Sequence, residues 1–179
     1  MNVFFLDSSP KIAAIYHCDK HTIKMLIEHN QLLSTAHRLL DGDPYRELSA
    51  NGRRILRYRL NDERESVLYK ASHINHPSAI WARSDLNNYK WLVECTKYLL
   101  EEYTHRYGKR HACTDITEYL MTHYPKNIRN ERFTEPPPAM PDYCKVLGDS
   151  VASYRKYYIM EKSRFATWKN RETPEWFKL

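Results

Sequence analysis

The chain has 179 residues, a length that fits one folded domain, and 42% of them are hydrophobic, which excludes a disordered protein. Glycine occurs only 4 times, so few turns can use a positive φ, and this argues against a sandwich or barrel of many short strands. The formal charge of +6 favours an anionic partner, and nucleic acid is the commonest such partner for a small basic domain.

The first forty residues predict an extended segment followed by two helices. Asn2–Asp7 is mostly apolar and is typical of a short extended segment. Ser9 is a suitable cap for a short helix over Pro10–Tyr16, because proline is favoured at the first helical position. Asp19 is the predicted N-cap of a longer helix, which ends at Asp41-Gly42-Asp43-Pro44.

The long helix is predicted to be amphipathic. Its apolar face consists of Ile23, Leu26, Ile27, Leu33, Ala36 and Leu40. Its polar stripe consists of His21, Lys24, Glu28, Gln31, Thr35 and Arg38. A carboxylate beside a histidine and a lysine on one face can serve as a general acid or base near neutral pH. By spacing alone, an ordinary ion pair between Lys24 and Glu28 on a solvated face is the alternative.

The histidines and cysteines do not predict a metal site. His17 and His21 have the i, i+4 spacing of metal ligands, but no HExxH motif is present and no third ligand follows nearby. The cysteines are Cys18, Cys95, Cys113 and Cys144, and their spacing contains no CxxC pair. The apolar run Val3–Leu6 is too short for a signal sequence or a membrane span. We therefore expect a cytoplasmic protein with reduced thiols, no metal, no cofactor and no membrane contact.

The middle of the chain predicts one long helix between less regular segments. The pattern from about Arg46 to Arg64 is polar and basic and predicts no defined element. Ser72–Arg83 is predicted to be a loop that leads into the next helix. Ser84 is the predicted cap of that helix, and Gly108 is predicted to end it.

The remainder predicts two more helices separated by a proline-rich loop. A short helix is expected to end near Tyr124, and the prolines of Pro125–Pro141 exclude a regular helix there. A last helix is predicted over Gly148–Phe165, and the tail that contains Trp168 is expected to pack back on the body. The fold class predicted for residues 1–179 is mainly α, a single-domain helical bundle with long loops.

Basic and aromatic residues in several places suggest contact with nucleic acid through phosphate binding and base stacking. The candidate nucleic-acid-binding residues are Lys24, Trp81, Arg83, Lys109, Arg110, Arg155 and Lys162. Each has an ordinary alternative, since tryptophans build cores and basic residues at a helix C-terminus complement its dipole.

The chain resembles a family of small proteins that is common in tailed phages. The segments that carry this resemblance are Asn2–Asp7, Cys18–His21, Gln31–His37, Tyr103–His111 and Trp176-Phe177. The resemblance spans most of the chain and implies no activity by itself. For a phage-encoded protein it implies a location in the host cytoplasm.

A second resemblance implies an activity. The pattern Asp19-x-His21-x6-Glu28 is similar to the first helix of pyrimidine-dimer DNA glycosylases of the endonuclease V type. In that family the N-terminal α-amine attacks the sugar of the damaged nucleotide, a glutamate of the first helix assists, and arginines hold the phosphates. The resemblance thus implies that Glu28 is the catalytic carboxylate and faces the chain's own N-terminus, and that His21 is a neighbouring site residue.

The amine in this chain is that of Met1, because the size of Asn2 disfavours removal of the methionine. Ile27 and Gln31 stand near Glu28 where the family has arginines, and Lys24 offers a point charge rather than a bidentate clamp.

The sequence is compatible with three functions. The first is a DNA-repair enzyme, a glycosylase and AP lyase that acts on a flipped or distorted nucleotide. The second is a non-catalytic module that binds nucleic acid or modulates the host. The third is an enzyme of phage nucleotide metabolism with His73, His76, Ser78 and Arg83 around the ligand, although no glycine-rich phosphate loop supports it.

Overall fold

A computed structural model describes residues 1–178 and is 52% helical, with 7 helices and a small two-stranded sheet, so the predicted mainly α class is confirmed. The elements in chain order are α1 (Pro10–Tyr16), α2 (Asp19–Asp41), β1 (Asp43–Leu48), β2 (Arg54–Arg59), α3 (Arg64–Val67), α4 (Pro77–Ser84), α5 (Leu86–Tyr107), α6 (Thr114–Thr122) and α7 (Ser150–Tyr157). A π-helical turn continues α7 over Tyr158–Lys162, and two 3-10 turns lie at Asp142–Cys144 and Glu175–Phe177.

The predicted short helix α1 is confirmed, with Ser9 as its cap and Pro10 as its first residue. Helix α2 is also confirmed, although Asp19 is its first residue and Cys18 is its cap. Gly42 follows the last residue of α2, and a Cβ at that position would lie 2.5 Å from the carbonyl oxygen of Arg38, so this helix end requires glycine.

The predicted two-faced character of α2 is only partly correct. His21, Thr35 and Arg38 of the predicted polar stripe are buried, whereas Ile23 and Ile27 of the predicted apolar face are exposed. The reason is tertiary, since α4, α5 and the N-terminal segment all pack around α2. Only a strip of α2 consisting of Lys20, Ile23, Lys24 and Ile27 remains exposed.

Helix α5 runs antiparallel to α2 and forms the other half of the core. His37 hydrogen-bonds Tyr89 at one end of the pair, and Arg106 pairs with Asp19 at the other. The side chain of Asp85 caps α5 by accepting a hydrogen bond of 2.8 Å from the amide of Asn87, so the predicted cap is off by one residue. Gly108 ends α5 as predicted, with a φ of 64°.

Two elements were not predicted. The basic segment after α2 forms an antiparallel hairpin of β1 and β2, whose connection contains Asn51 and Gly52. The prediction of a loop over Ser72–Arg83 is wrong for its second half, because α4 begins at Pro77. There His76 acts as the cap by accepting a hydrogen bond from the amide of Ser78.

The C-terminal third matches its prediction in outline. Pro125–Pro141 contains no α-helix or strand, and α7 with its π turn covers most of the predicted last helix. The tail packs on the body as expected, since the indole nitrogen of Trp168 donates a hydrogen bond of 3.0 Å to the carbonyl of Tyr16.

Two further findings concern the thiols and the helices. All four cysteines are free and buried. Within residues 1–178, no helix combines the length and the apolar character that crossing a membrane requires.

Candidate functional site

The first residues of the chain lie in a fixed position against α2. Met1 lies beside Glu28, and the ring of Phe4 stacks on His21 with 4.2 Å between centroids. Because three extended residues and two helical turns both cover about 10 Å, this segment runs antiparallel along α2. Val3, Phe4, Phe5 and Leu6 are buried, so the hydrophobic effect holds the segment in place.

Polar contacts of Asn2 hold the N-terminal segment together with the buried residues Val3–Leu6, and we call this set of contacts the anchor. The amide nitrogen of Asn2 donates a hydrogen bond of 3.0 Å to the carbonyl of Ala139, and its side-chain oxygen lies 2.8 Å from the hydroxyl of Tyr154. The same oxygen accepts a hydrogen bond of 2.9 Å from the amide of Val3. The proline-rich loop and α7 thus fix the residue that follows the terminal amine.

The terminal amine of Met1 lies 3.8 Å from Oε2 of Glu28, which is the proximity that the glycosylase resemblance implies. Lys24 contacts the other carboxylate oxygen, Oε1, at 3.0 Å. The side chain of Met1 is 3% exposed, that of Glu28 is 14% exposed and that of Lys24 is 62% exposed. An amine, a carboxylate and a second cation therefore meet at the edge of the exposed strip.

His76 belongs to the same electrostatic neighbourhood. Burial lowers its pKa, the charges of the N-terminal amine and of His73 lower it further, and the charge of Glu28 opposes them. Its Nδ1 accepts the amide hydrogen of Ser78, so the ring proton of the neutral form is on Nε2. In its neutral form His76 therefore carries an N–H donor at Nε2, and the charges of the amine and of Glu28 both act on its ring.

His21 lies two helical turns from Glu28, towards the N-terminus of α2, and its side chain is part of the packed interior. Its Nδ1 is 2.5 Å from the hydroxyl of Tyr158, and burial lowers its pKa to about 3. The imidazole is therefore neutral near pH 7. In this position His21 packs among aromatic rings next to the site. Within residues 1–178 it makes no hydrogen bond to the Glu28 carboxylate.

Two further candidates are basic residues that pair with no carboxylate among residues 1–178, and only Lys162 acts on this face. Lys162 lies 4.4 Å from the ring centroid of Tyr157, and its charge contributes to the low pKa of His21. Arg83 is half-buried on α4, and its Nη1 has no hydrogen-bond partner among residues 1–178. Burial lowers the pKa of Arg83.

Trp81 and Arg155 are occupied by the fold itself. Trp81 is 3% exposed and donates a hydrogen bond to the carbonyl of Thr134, so its ring offers no face for a base. Arg155 donates to the carbonyl of Leu6 and pairs with Asp7 at 3.1 Å. These contacts secure the N-terminal segment and leave little of either side chain for a ligand.

Lys109 and Arg110 are not brought together with Glu28. They follow Arg106, which pairs with Asp19, and Asp19 precedes Glu28 by about 13 Å along α2. Arg110 is exposed and pairs with Asp115 at 2.5 Å.

No family model, no curated protein and no solved structure matches this chain. The site therefore has to be interpreted from its own geometry. Among residues 1–178, no group of three or more histidine, cysteine, aspartate or glutamate side chains has an arrangement that could hold a metal ion.

Two residues that contact or act on the start of the chain, Asn2 and His76, were not predicted as part of a site at the amine. Asn2 carries no local signal of this role, because its partners Ala139 and Tyr154 are more than 130 positions away. His76 carries a weak local signal. A polar residue before Pro77 indicates the start of a helix, where free N–H donors are often found.

Proposed function

We propose that this protein is a DNA glycosylase and AP lyase in which the α-amine of Met1 is the nucleophile and Glu28 is the assisting carboxylate. The observation that carries the proposal is the distance of 3.8 Å between them. A terminal amine normally lies in a frayed, solvated end of the chain. Here the anchor formed by Asn2 and the buried residues Val3–Leu6 supports a function for the fixed position of the amine.

The chemistry requires an unprotonated amine and a nearby proton acceptor. The nitrogen lone pair forms a bond to C1′ of the deoxyribose, and the bond from C1′ to the base breaks, so that its electron pair leaves with the base. The added nitrogen loses its protons as the sugar ring opens to an imine and O4′ takes up a proton.

Glu28 has two roles in this scheme. Its carboxylate takes a proton from the attacking nitrogen and passes it to O4′ as the sugar ring opens and the imine forms. The restored carboxylate then takes the C2′ proton, and the phosphate at C3′ leaves with the electron pair of the C3′–O bond by β-elimination. Water hydrolyses the imine afterwards and restores the amine. Lys24, bonded to the far carboxylate oxygen, fixes the orientation of Glu28 and offers positive charge to a phosphate.

His76 is placed to supply a proton. In its neutral form Nε2 bears the hydrogen, because Nδ1 is used by the amide of Ser78. A neutral donor close to the amine can hydrogen-bond the leaving base or O4′ without holding the amine in its protonated form. The expected partner is duplex DNA, and the lesion that the resemblance implies is a pyrimidine dimer.

The test is reductive trapping. The protein is incubated with an abasic duplex or an ultraviolet-damaged duplex, borohydride is added, and the covalent adduct is located by digestion and mass spectrometry. An adduct on the amine of Met1 supports the proposal, and intact mass must show that this amine is free in the mature chain. An adduct on Lys24, or none on either substrate, contradicts it.

The role of the carboxylate is tested separately. Glu28→Gln should lower the rate of strand cleavage by about 100-fold or more, because the proton acceptor is lost. Glu94→Gln, on the exposed side of α5, is the matched control and should cleave like the wild type. Binding that persists with no trapping in the wild type would favour a non-catalytic nucleic-acid-binding module instead.

A further inference from the structure

The exposed strip of α2 has an unusual composition for a solvated helix face. It consists of Lys20, Ile23, Lys24 and Ile27, which fall on one side of the helix at spacings of three and four. Ile23 is 40% exposed and Ile27 is 45% exposed. Single exposed apolar residues are common, but here two branched aliphatic side chains alternate with two lysines.

The strip is also next to the proposed reaction centre. Lys24 contacts the Glu28 carboxylate, and Ile27 directly precedes Glu28 in the helix. The strip runs over the eight residues from Lys20 to Ile27, a rise of about 10 Å, which corresponds to about three base steps of duplex DNA. A duplex bound with its target sugar at the amine would therefore have these apolar side chains within a few base steps.

From this arrangement we propose that Ile23 and Ile27 form an apolar wedge that unstacks duplex DNA at the target nucleotide, while Lys20 and Lys24 contact the flanking phosphates. This inference rests on the proposed function. DNA is the occupant that the strip's charge favours, because a purely apolar partner surface would cover the exposed ammonium groups of Lys20 and Lys24 without offering them an anion, although Lys24 keeps its contact with Glu28.

The energetics explain why a wedge is needed. A nucleotide has to leave the stack before an amine can reach its C1′ atom, and unstacking one step costs a few kcal/mol. Isoleucine side chains inserted at that step restore apolar contact for the exposed base faces. Because Ile23 and Ile27 are already exposed in the free protein, their insertion requires no loss of buried contacts in the core.

The experiment uses a duplex with a tetrahydrofuran abasic analogue and a 2-aminopurine base beside it. The analogue has no C1′ hydroxyl and forms no imine, so the measurement is independent of the amine chemistry. The wild-type protein should bind this duplex and raise the 2-aminopurine fluorescence as the base unstacks. The double variant Ile23→Ala/Ile27→Ala should lose most of that rise and bind the duplex about tenfold more weakly.

A matched double variant controls for the loss of exposed apolar surface. Ile12 on α1 and Ile80 on α4 are 39% and 47% exposed, so Ile12→Ala/Ile80→Ala removes the same groups at similar exposure. It should behave like the wild type. Both double variants should keep the wild-type affinity for an undamaged duplex within about twofold, because the lysines remain.

Each outcome bears on one proposal. Binding by the wild type without a fluorescence rise, or a full rise with the Ile23/Ile27 double variant, overturns the wedge. An intact, isoleucine-dependent rise together with failed borohydride trapping on an abasic duplex supports the wedge and contradicts the amine chemistry. Loss of the rise in the Ile12/Ile80 control overturns the assignment to this strip.

Discussion

The hydroxyl of Tyr154 on α7 lies 2.8 Å from the side-chain oxygen of Asn2, and the two residues are 152 positions apart in the chain. The same hydroxyl lies 3.0 Å from the carbonyl of Pro137, and the amide of Asn2 reaches the carbonyl of Ala139. Two distant parts of the chain, α7 and the proline-rich loop, thus converge on the residue next to the Met1 amine.

Replacing Asn2 by aspartate should destabilise the protein by about 1–3 kcal/mol, because a carboxylate oxygen would face the carbonyl of Ala139 without a proton to donate. Residue 2 stays large, so Met1 is retained, which intact mass would verify. Urea unfolding measures the effect. Asn51→Asp in the hairpin connection is the control and should change the free energy of unfolding by less than about 0.5 kcal/mol. Equal effects of the two changes would contradict the anchoring role.

Arg106 is a buried hub with no exposed side-chain surface, and it pairs with Asp19 and Glu102. Arg106→Met should lower the free energy of unfolding by about 3–5 kcal/mol, because two carboxylates lose their buried partner. Arg110→Met removes an exposed pair with Asp115 and should cost at most about 1 kcal/mol. Urea titrations of both variants give the comparison, and a small loss at Arg106 would rule out this hub.

Stability should fall as the pH decreases from about 6.5, because several histidines are buried in the neutral form. Burial lowers the pKa of His17 to about 4, that of His21 to about 3 and that of His37 to about 4. Below the unfolded value of about 6.5, the unfolded chain binds protons that the folded chain excludes, which costs about 1.4 kcal/mol per pH unit for each histidine. The loss ends once the pH falls below the folded-state values.

Urea unfolding between pH 7.5 and pH 5 measures this slope in a range where carboxylates contribute little. His17→Gln should make the slope shallower by one proton. His123→Gln, at an exposed position, should leave it unchanged. A free energy of unfolding that stays constant across the range would show that these histidines are not buried as neutral rings.

His76→Asn separates the cap from the proton donor. The asparagine oxygen can still accept the amide hydrogen of Ser78, so α4 and the melting temperature should be preserved. The Nε2 hydrogen is lost, and the rate of imine trapping should fall by about 100-fold. His73→Asn is the comparison, because asparagine tolerates the φ of 51° at that position. Equal trapping rates for both variants and the wild type would remove His76 from the mechanism. A pH profile of the trapping rate would show whether the titration of His76 affects it.

Elements with strong local signals were predicted well. The Ser9 cap with Pro10 and the glycine at position 108 define ends of helices α1 and α5 through backbone chemistry within a few residues. The hairpin was missed, although its Asn51-Gly52 pair is a recognised turn signal, because arginine-rich strands lack the usual apolar alternation. Helix α4 was missed because histidine is an uncommon cap.

Burial around α2 could not be predicted from its periodicity. His21 and Arg38 have polar side chains, yet they are buried because Tyr158 and the carbonyls of Tyr69 and Leu68 satisfy them from distant segments. The approach of the Met1 amine to Glu28 was an implication of the resemblance, while the helix spacing alone predicted only the pair of Glu28 with Lys24.

The contact of the N-terminal segment with α7 also has a consequence for the order of folding. Contacts between residues about 150 positions apart close a loop over most of the chain, and such contacts form late because the entropy of closure is lost before they are made. Helices α2 and α5 can pair before that step. The bonds that fix Asn2, next to the Met1 amine, would therefore be complete only when α7 docks at the end of folding.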